Sequence, residues 1–219
     1  MKIDHDTVNV LKSFSKINPS ILIQEGNTLK TISASKTIMA KATVPTKFTN
    51  RFAIYSLDQF LANLSLYKDP ELKFADKRVD IKDDRRKGHF FYSDENTITK
   101  APEKDIALPS ADVSFTLTNA DLSEVEKAAG VLQVPEVAVV GDGKTISLIA
   151  TDSKNPTSND WSVDIGVTDK VFKAIFKVDN IRIIPGEYEV TISSKGISHF
   201  VGKDNEVEYF IAVEQNSQF

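Results

Sequence analysis

The chain has 219 residues, 41% of them hydrophobic, which is enough to build the core of one large domain or of two ordinary ones. It has no cysteine, which excludes disulfides and thiolate metal sites, and its formal net charge of −4 at pH 7 differs from the basic balance of most nucleic-acid-binding domains. No apolar run approaches the roughly 18 residues of a membrane-spanning helix, and acids stand where a signal peptide needs a basic end, so we expect a soluble, cytoplasmic protein.

The first half of the chain predicts a helix, several strands, a second helix and further strands. Residues 5–17 have helical spacing and end before Pro19, since a residue that precedes proline disfavours helix. Ser56 suits the N-cap of the second helix, whose apolar residues recur at i, i+3, i+4 and i+7. They are Leu57, Phe60, Leu61 and Leu64. Period-two alternation predicts strands at Ile21–Ile23, Ile38–Val44, Phe52–Ile54 and Val79–Ile81.

The second half repeats this order from Val113. Thr118 and Asp121 have the spacing of a helix N-terminal capping motif, and the apolar residues of a third helix follow them. A short helical turn is predicted at residues 179–183. The predicted strands are Val113–Leu117, Ile146–Ala150, Trp161–Val167, Tyr188–Ile192 and Val207–Val213.

Two segments suggest an internal duplication. LKSFSKINPSILIQEGNTLKTISASK and VEKAAGVLQVPEVAVVGDGKTISLIATDSK share a helix, a short link, a strand, a glycine-bearing turn and a strand that contains KTIS. This similarity predicts two domains, at residues 1–94 and 111–219. The connector between them, residues 95–110, contains two prolines and alternating charges, which favour an extended segment.

No catalytic or metal-binding motif is found. The three histidines, His5, His89 and His199, are far apart in sequence, and residues 141–144 (GDGK) precede a strand, which favours a hairpin turn over a phosphate-binding loop. Asp80, Asp83 and Asp84 could hold Mg²⁺ in a nuclease-like enzyme, but interleaved basic residues favour a solvated loop with internal ion pairs. We therefore predict no cofactor, no metal and no enzymatic activity.

Basic residues recur on the polar sides of the predicted helices. Lys12 and Lys16 lie one turn apart on the exposed side of the first helix. Lys68 follows the second helix, Lys127 lies on the polar side of the third, and Arg182 lies in the fourth. Exposed lysines are common on helices, so ordinary solvation is the competing interpretation. If all four helices share one face of the sheets, that face is modestly basic and suits weak, nonspecific contact with a phosphate backbone.

Four segments resemble the corresponding parts of the DNA polymerase sliding clamp of tailed bacteriophages, in order along almost the whole chain. They are MKIDHDTVNVLKSFSKIN, IYSLDQFLANLSLY (54–67), NADLSEVEKAAGVLQVPEVAV (119–139) and IRIIPGEYEVTISSKG (181–196). The resemblance implies an α+β fold with two processivity-fold domains, each made of two β-α-β-β-β units with the helices on the inner face. It also implies a homotrimeric ring of six domains that encircles duplex DNA and tethers the replicative polymerase.

The resemblance also implies roles for particular residues. Lys12, Lys127 and Arg182 fall at basic inner-helix positions of the family, and with Lys16 and Lys68 they form the expected DNA-facing set. Gly130 stands where a second basic residue is expected. Because Glu124 and Glu126 also add acid to this helix, we expect the first helix to carry more of the DNA contact.

Two further sets concern protein partners. Ile106 falls on a connector position that the family associates with the subunit boundary and partner binding, and with Leu108 and Val213 it forms the expected pocket for a partner peptide. Phe91 and Tyr92 match an aromatic pair near the domain edge. Together with Phe90 they form the expected subunit interface, packed against a strand of the second domain.

The resemblance implies several partners and a location. The partners are double-stranded DNA without sequence specificity, the C-terminal peptide of a DNA polymerase, an ATP-driven clamp loader and two further copies of the chain. Late-transcription factors are a further candidate, and the location is the cytoplasm of an infected host cell. The main alternative is a phage structural ring or tube assembly protein without a DNA function, which explains the strands but not the repeated basic helices.

Overall fold

The computed structural model describes residues 1–219, and the chain divides into two units, Met1–Lys104 and Asp105–Phe219. The division falls inside the connector predicted at residues 95–110. A single 3₁₀ turn at Glu95–Thr97 begins this segment, where the Arg51 guanidinium donates two hydrogen bonds of 2.8 Å to the Glu95 carboxylate. From there to the residue before Val113 the chain forms neither helix nor strand, as expected of an extended connector.

The first unit contains two helices and seven strands. In chain order they are α1 (His5–Ile17), β1 (Ile21–Ile23), β2 (Gly26–Ile32), β3 (Ile38–Phe48), β4 (Phe52–Ile54), α2 (Leu57–Ser65), β5 (Glu71–Phe74), β6 (Arg78–Lys82) and β7 (Lys87–Phe91). β1 pairs with β4, β2 with β3, and β5, β6 and β7 form a three-stranded sheet, all antiparallel.

The helices of the first unit begin at side-chain caps and bury one face each. The Asp4 carboxylate accepts the Asp6 N–H at 2.8 Å and begins α1. Leu11 and Phe14 are buried on the side of α1 that packs against β2, β3 and α2. No strand precedes α1, but Met1 and Leu72 exchange both backbone hydrogen bonds, at 2.6 and 2.7 Å, so that the first residue of the chain pairs with β5.

The second unit contains two complete β-α-β-β-β repeats. In chain order they are β8 (Val113–Leu117), α3 (Asn119–Leu132), β9 (Glu136–Asp142), β10 (Thr145–Thr151) and β11 (Trp161–Val167), then β12 (Val171–Lys177), α4 (Val178–Ile181), β13 (Tyr188–Ser193), β14 (Ile197–Gly202) and β15 (Val207–Ala212). One sheet has the order β11-β10-β9-β12 and is covered by α3. In the other sheet β13 pairs with β8 and β14, and β14 also pairs with β15.

The elements with the clearest periodicity agree with the sequence prediction. α1 has the predicted bounds, and the Ser56 and Thr118 hydroxyls accept the N–H groups of Gln59 and Asp121 as N-caps of α2 and α3. The 141–144 segment forms the predicted hairpin turn, since the Asp142 carboxylate accepts two backbone N–H groups and the chain enters β10. α4 begins one residue before the predicted turn and has only four residues.

Strand β12 was not predicted, and β9 was predicted only from the duplicated segment, as the strand before its glycine-bearing turn, and not from alternation. Four consecutive residues of β9, Glu136–Val139, are buried, and so are three consecutive residues of β12, Ala174–Phe176. A strand covered on both faces loses the alternation of apolar and polar residues that marks a half-exposed strand. None of the helices has the length and apolar character required to span a membrane.

The two edges of the β11-β10-β9-β12 sheet differ in their protection. The C-terminal segment lies along β12, where Gln218 and Lys173 exchange backbone hydrogen bonds of 2.8 Å and the Glu214 N–H donates to the Ile175 carbonyl at 2.8 Å. β11 lies at the opposite edge and pairs with β10 alone. The second unit therefore covers one edge of this sheet with its own chain and leaves the other open.

Asp112 ties the end of the connector to the turn after β13. Its carboxylate accepts the Ser110 hydroxyl at 2.6 Å and the Ser194 N–H at 2.7 Å, and these bonds, led by that from Ser110, lower the pKa of Asp112 to about 2. The pKa of an aspartate in the unfolded chain is about 3.9, which is higher than the folded-state pKa of Asp112. The stabilisation is therefore fully present above about pH 3.9 and is lost as the pH falls toward 2.

We therefore expect Asp112→Asn to lower the melting temperature at pH 7. The difference from the wild type should shrink between about pH 4 and pH 2, as thermal unfolding followed by circular dichroism would show. Asp169→Asn, at an exposed loop position, is the matched control and should change little. Equal melting temperatures for the wild type and Asp112→Asn at pH 7 would contradict this assignment.

Candidate nucleic-acid interface and subunit edges

The exposed side of α1 carries the two lysines that the sequence singles out. Lys12 and Lys16 are both exposed, opposite the buried Leu11 and Phe14, and one helical turn separates them. Neither ammonium group pairs with a carboxylate. α1 therefore presents two free cations on one solvent-facing side, which is the arrangement that a weak phosphate contact requires.

The exposed side of α3 is less favourable for an anion. Lys127 is exposed opposite the buried Leu122 and Val125, but Glu124 is exposed on the same helix. Gly130 is also exposed and has open space around the position of a side chain, so packing does not explain why a basic residue is missing there. The structure thus agrees with the expectation that α1 offers more positive charge than α3.

The remaining two residues of the predicted DNA-facing set lie at helix ends. Arg182 directly follows α4 and is exposed, and its guanidinium lies 3.4 Å from the carboxylate of Asp179. Lys68 is exposed in the loop after α2, and its backbone N–H donates to the Asp83 carboxylate at 3.1 Å. All five residues of the set are therefore accessible to a ligand. Their DNA-facing role remains a prediction.

The acidic group between β6 and β7 forms internal ion pairs, as the sequence indicates. The Asp80 carboxylate lies 2.9 Å from the Arg78 guanidinium, and the Asp83 carboxylate lies 2.9 Å from the Arg86 guanidinium. No cluster of three or more histidine, cysteine, aspartate or glutamate side chains is placed to hold a metal ion. This geometry gives no support to a metal-dependent nuclease.

β7 is an edge strand and carries the predicted interface aromatics. Phe91 is 60% exposed, whereas Phe90 is half-buried and packs edge-to-face on Phe60, with ring centroids 5.2 Å apart. Tyr92 stacks on Phe52 at 4.9 Å. Phe90 and Tyr92 therefore pack on rings from other elements of their unit. The Phe91 ring contacts His89 of the same strand, with centroids 5.0 Å apart, but most of its surface stays exposed and available to a partner chain.

β11 is an open edge strand of the second unit. It alternates between fully exposed residues and half-buried Trp161, Val163 and Ile165, and its last residue, Val167, is 86% exposed. Apolar residues that line an unpaired strand edge are a template for pairing with another chain unless something covers them. β11 therefore has one unpaired backbone edge with exposed apolar residues beside it.

The residues of the predicted partner pocket differ in their surroundings. Ile106 and Leu108 are half-buried in the connector, and Val213 is 8% exposed, with its N–H donating to the Gly196 carbonyl at 3.0 Å. The sequence did not indicate the open cavity of about 460 Å³ beyond the connector. It is lined by Asp112, Val113, Lys170, Val171, Phe172, Ser194 and Phe219.

Two known protein families match the chain. Residues 4–99 match the family described as DNA polymerase processivity factor, and residues 114–215 match the family described as gp45 sliding clamp, C terminal. The two matches together cover most of both units and leave residues 100–113 between them.

Known relatives match the chain over nearly its full length. The sliding clamp of Vibrio phage KVP40 is 34% identical over 222 residues, covering 98% of this chain and 99% of that protein. The sliding clamp of Escherichia phage RB69 is 29% identical over 227 residues, covering 99% of this chain and 98% of that protein. The crystal structure of proliferating cellular nuclear antigen from Entamoeba histolytica superposes with a TM-score of 0.68 at 14% identity, covering 94% of each chain, which concerns the fold alone.

Proposed function

The chain belongs to the phage DNA polymerase sliding-clamp family, and from this premise we propose that it encircles duplex DNA as a homotrimeric ring and tethers a replicative DNA polymerase. In this proposal the chain has no catalytic role of its own. An ATP-dependent clamp loader opens the ring and places it on DNA, and the polymerase then gains processivity because its tether cannot dissociate from the template.

The observation that carries the proposal is that each unit has an edge strand with a single partner strand and apolar residues along it, β7 in the first unit and β11 in the second. β7 pairs only with β6, and β11 pairs only with β10. When two different edges of one molecule pair with two different neighbours, the contact is head-to-tail, and repeated contacts of this kind can close into a ring. We propose three chains in the ring, as the family resemblance implies, with Phe91 of one chain packed against β11 of the next.

In this proposal the closed ring, and not its equilibrium affinity for DNA, retains the protein on the duplex. The chain has a formal net charge of −4, so its equilibrium affinity for a linear duplex is poor. The basic side chains of the DNA-facing set then need only offset the negative electrostatic potential of an acidic ring near the DNA. They are Lys12, Lys16, Lys68, Lys127 and Arg182. Each makes a transient, screened phosphate contact, which holds the duplex without stopping the ring from sliding.

A structural ring or tube protein is the competing function. Primer extension with a cognate polymerase and loader, under conditions that allow each polymerase a single binding event, separates the two. We expect this protein to lengthen the products severalfold, and omission of ATP to remove the effect. Products of unchanged length would favour the structural alternative.

The connector offers the apolar contact for the polymerase. A short C-terminal peptide binds best in an apolar groove that holds a few anchor side chains, and Ile106 and Leu108 are two half-buried apolar residues close together in the connector. We expect Ile106→Ala to weaken binding of a peptide that copies the polymerase C-terminus by about tenfold, as fluorescence anisotropy would show, because loss of one anchor costs about 1–2 kcal/mol.

The open cavity in the second unit provides the control. Val171 lines that cavity and is 75% exposed, so Val171→Ser changes the cavity without disturbing the connector. Peptide binding should be unchanged by Val171→Ser. Loss of binding in Val171→Ser together with full binding in Ile106→Ala would move the peptide from the connector to the cavity.

A further inference from the structure

α2 differs from α1 in that it carries no cation. Its exposed residues are Asp58, Gln59, Ala62 and Ser65. A ring that holds DNA through scattered phosphate contacts would therefore lack positive charge along this helix. An open cleft of about 660 Å³ lies directly after it, lined by Lys68, Asp69 and Glu71 on one side and by residues 82–86 on the other.

Asp83 fixes the shape of this cleft and contributes no free charge to it. Its carboxylate accepts backbone N–H groups from Lys68 at 3.1 Å, Arg85 at 3.1 Å and Arg86 at 2.8 Å. Burial opposes these bonds, but together with the Arg86 charge they hold the pKa of Asp83 at about 2. Arg86 also donates to the Leu66 carbonyl, so the β6–β7 turn is tied to the C-terminal end of α2.

Two of the other carboxylates in the cleft are also paired. Asp69 is bonded to the Lys2 ammonium, and Glu71 lies 3.2 Å from the Lys82 ammonium. Only Asp84 forms no ion pair. These contacts engage three of the four carboxylates of the cleft, so that only Asp84 remains to offset the charge of the cations that are not paired.

Lys68 and Arg85 are the cations that remain. Both are exposed, neither pairs with a carboxylate, and Asp83 positions the backbone of both through its two oxygens. A guanidinium and an ammonium held beside one open cleft match the oxygens of phosphate groups, which arginine binds in a bidentate manner and lysine as a point charge.

We infer that this cleft is a phosphate-backbone site in which Lys68 and Arg85 contact phosphodiester oxygens of the duplex. The inference rests on the proposed ring function and adds Arg85 to the DNA-contacting residues. In the first unit the contact at the α2 end is then made by a loop and a hairpin turn rather than by the helix itself.

Salt dependence of duplex binding tests the inference. A labelled linear duplex of about 20 base pairs is titrated with the full-length protein at several low salt concentrations, and the slope of log K against log salt is measured by anisotropy. Lys68→Ala and Arg85→Ala should each reduce the magnitude of the slope by about 1, because each removes one phosphate contact. Lys47→Ala, at an exposed position of β3 outside the cleft, should leave the slope unchanged. Slopes equal to that of the wild type in both cleft variants would overturn the inference.

Two further arms separate this inference from its alternatives. Inorganic phosphate, added at constant ionic strength, should not change the difference in slope between the wild type and Arg85→Ala. If phosphate abolishes that difference, the cleft is a site for a free anion, and the assignment to DNA is overturned. Retention of the wild-type protein on circular DNA is measured in parallel. If the wild type is retained on circular DNA but the slopes of the cleft variants are unchanged, only the phosphate site in the cleft is contradicted. If the slopes change but the wild type is not retained, the phosphate site is supported and the ring is contradicted.

Discussion

Phe91→Asp should convert the trimer into monomers. Phe91 is 60% exposed at the end of an edge strand, so a partner chain is what would bury its ring. Full burial of a phenylalanine contributes about 3 kcal/mol, and a carboxylate in its place would have to be desolvated without a partner. Light scattering coupled to gel filtration should show the mass fall from three times 24.3 kDa to 24.3 kDa at micromolar concentration.

Two further variants make this result specific to the proposed edges. Val163→Asp changes the half-buried face of β11 and should dissociate the ring in the same way. Val201→Asp alters an exposed valine of β14, which is paired on both sides, and should leave the trimer intact. A Phe91→Asp protein that keeps the wild-type mass would remove β7 from the interface.

Reversing three charges should abolish most loading without affecting assembly. Lys12→Glu, Lys16→Glu and Arg182→Glu, combined in one chain, take the formal net charge from −4 to −10, since each reversal changes it by two. These side chains are exposed on or next to helices, and none lies on β7 or β11. We expect loader-dependent processive synthesis to fall by about tenfold or more, because the altered surface now repels the phosphate backbone that it has to hold. The mass should remain that of three chains.

A matched triple variant separates local from overall charge. Lys144→Glu, Lys154→Glu and Lys195→Glu change the net charge equally but lie at exposed positions in turns of the second unit, outside its helices. This control should retain most of the processivity of the wild type. Equal losses in the two triple variants would show that total charge, and not the helix surface, governs loading.

Local signals in the sequence were sufficient for the elements that bury only one face. α1 has one apolar side, a capping Asp4 and a proline after its end, and its bounds were predicted correctly. The hydroxyl caps of α2 and α3 were equally clear. β12 was missed because three of its residues in a row are buried, which removes the alternation by which a strand is recognised.

The candidate sites depend on contacts between residues that are distant in sequence, which periodicity cannot reveal. Of the three predicted interface aromatics, Phe90 packs on Phe60 and Tyr92 stacks on Phe52, whereas Phe91 stays largely exposed, and the sequence pattern could not show this difference. The cleft at Lys68 likewise requires the loop after α2 to meet the β6–β7 turn. The sequence indicated the ion pairs of that turn but not which cations would remain free.

The most direct test of the central claim compares closed and open DNA of the same sequence. The wild-type protein is loaded with ATP and its loader onto a nicked circular duplex, and bound protein is measured over time before and after linearisation. A ring that encircles DNA should stay on the circle and leave within the time needed to slide to an end, and protein blocks at both ends should restore retention. Equal dissociation from circular and linear DNA would contradict encirclement and indicate a conventional binding surface.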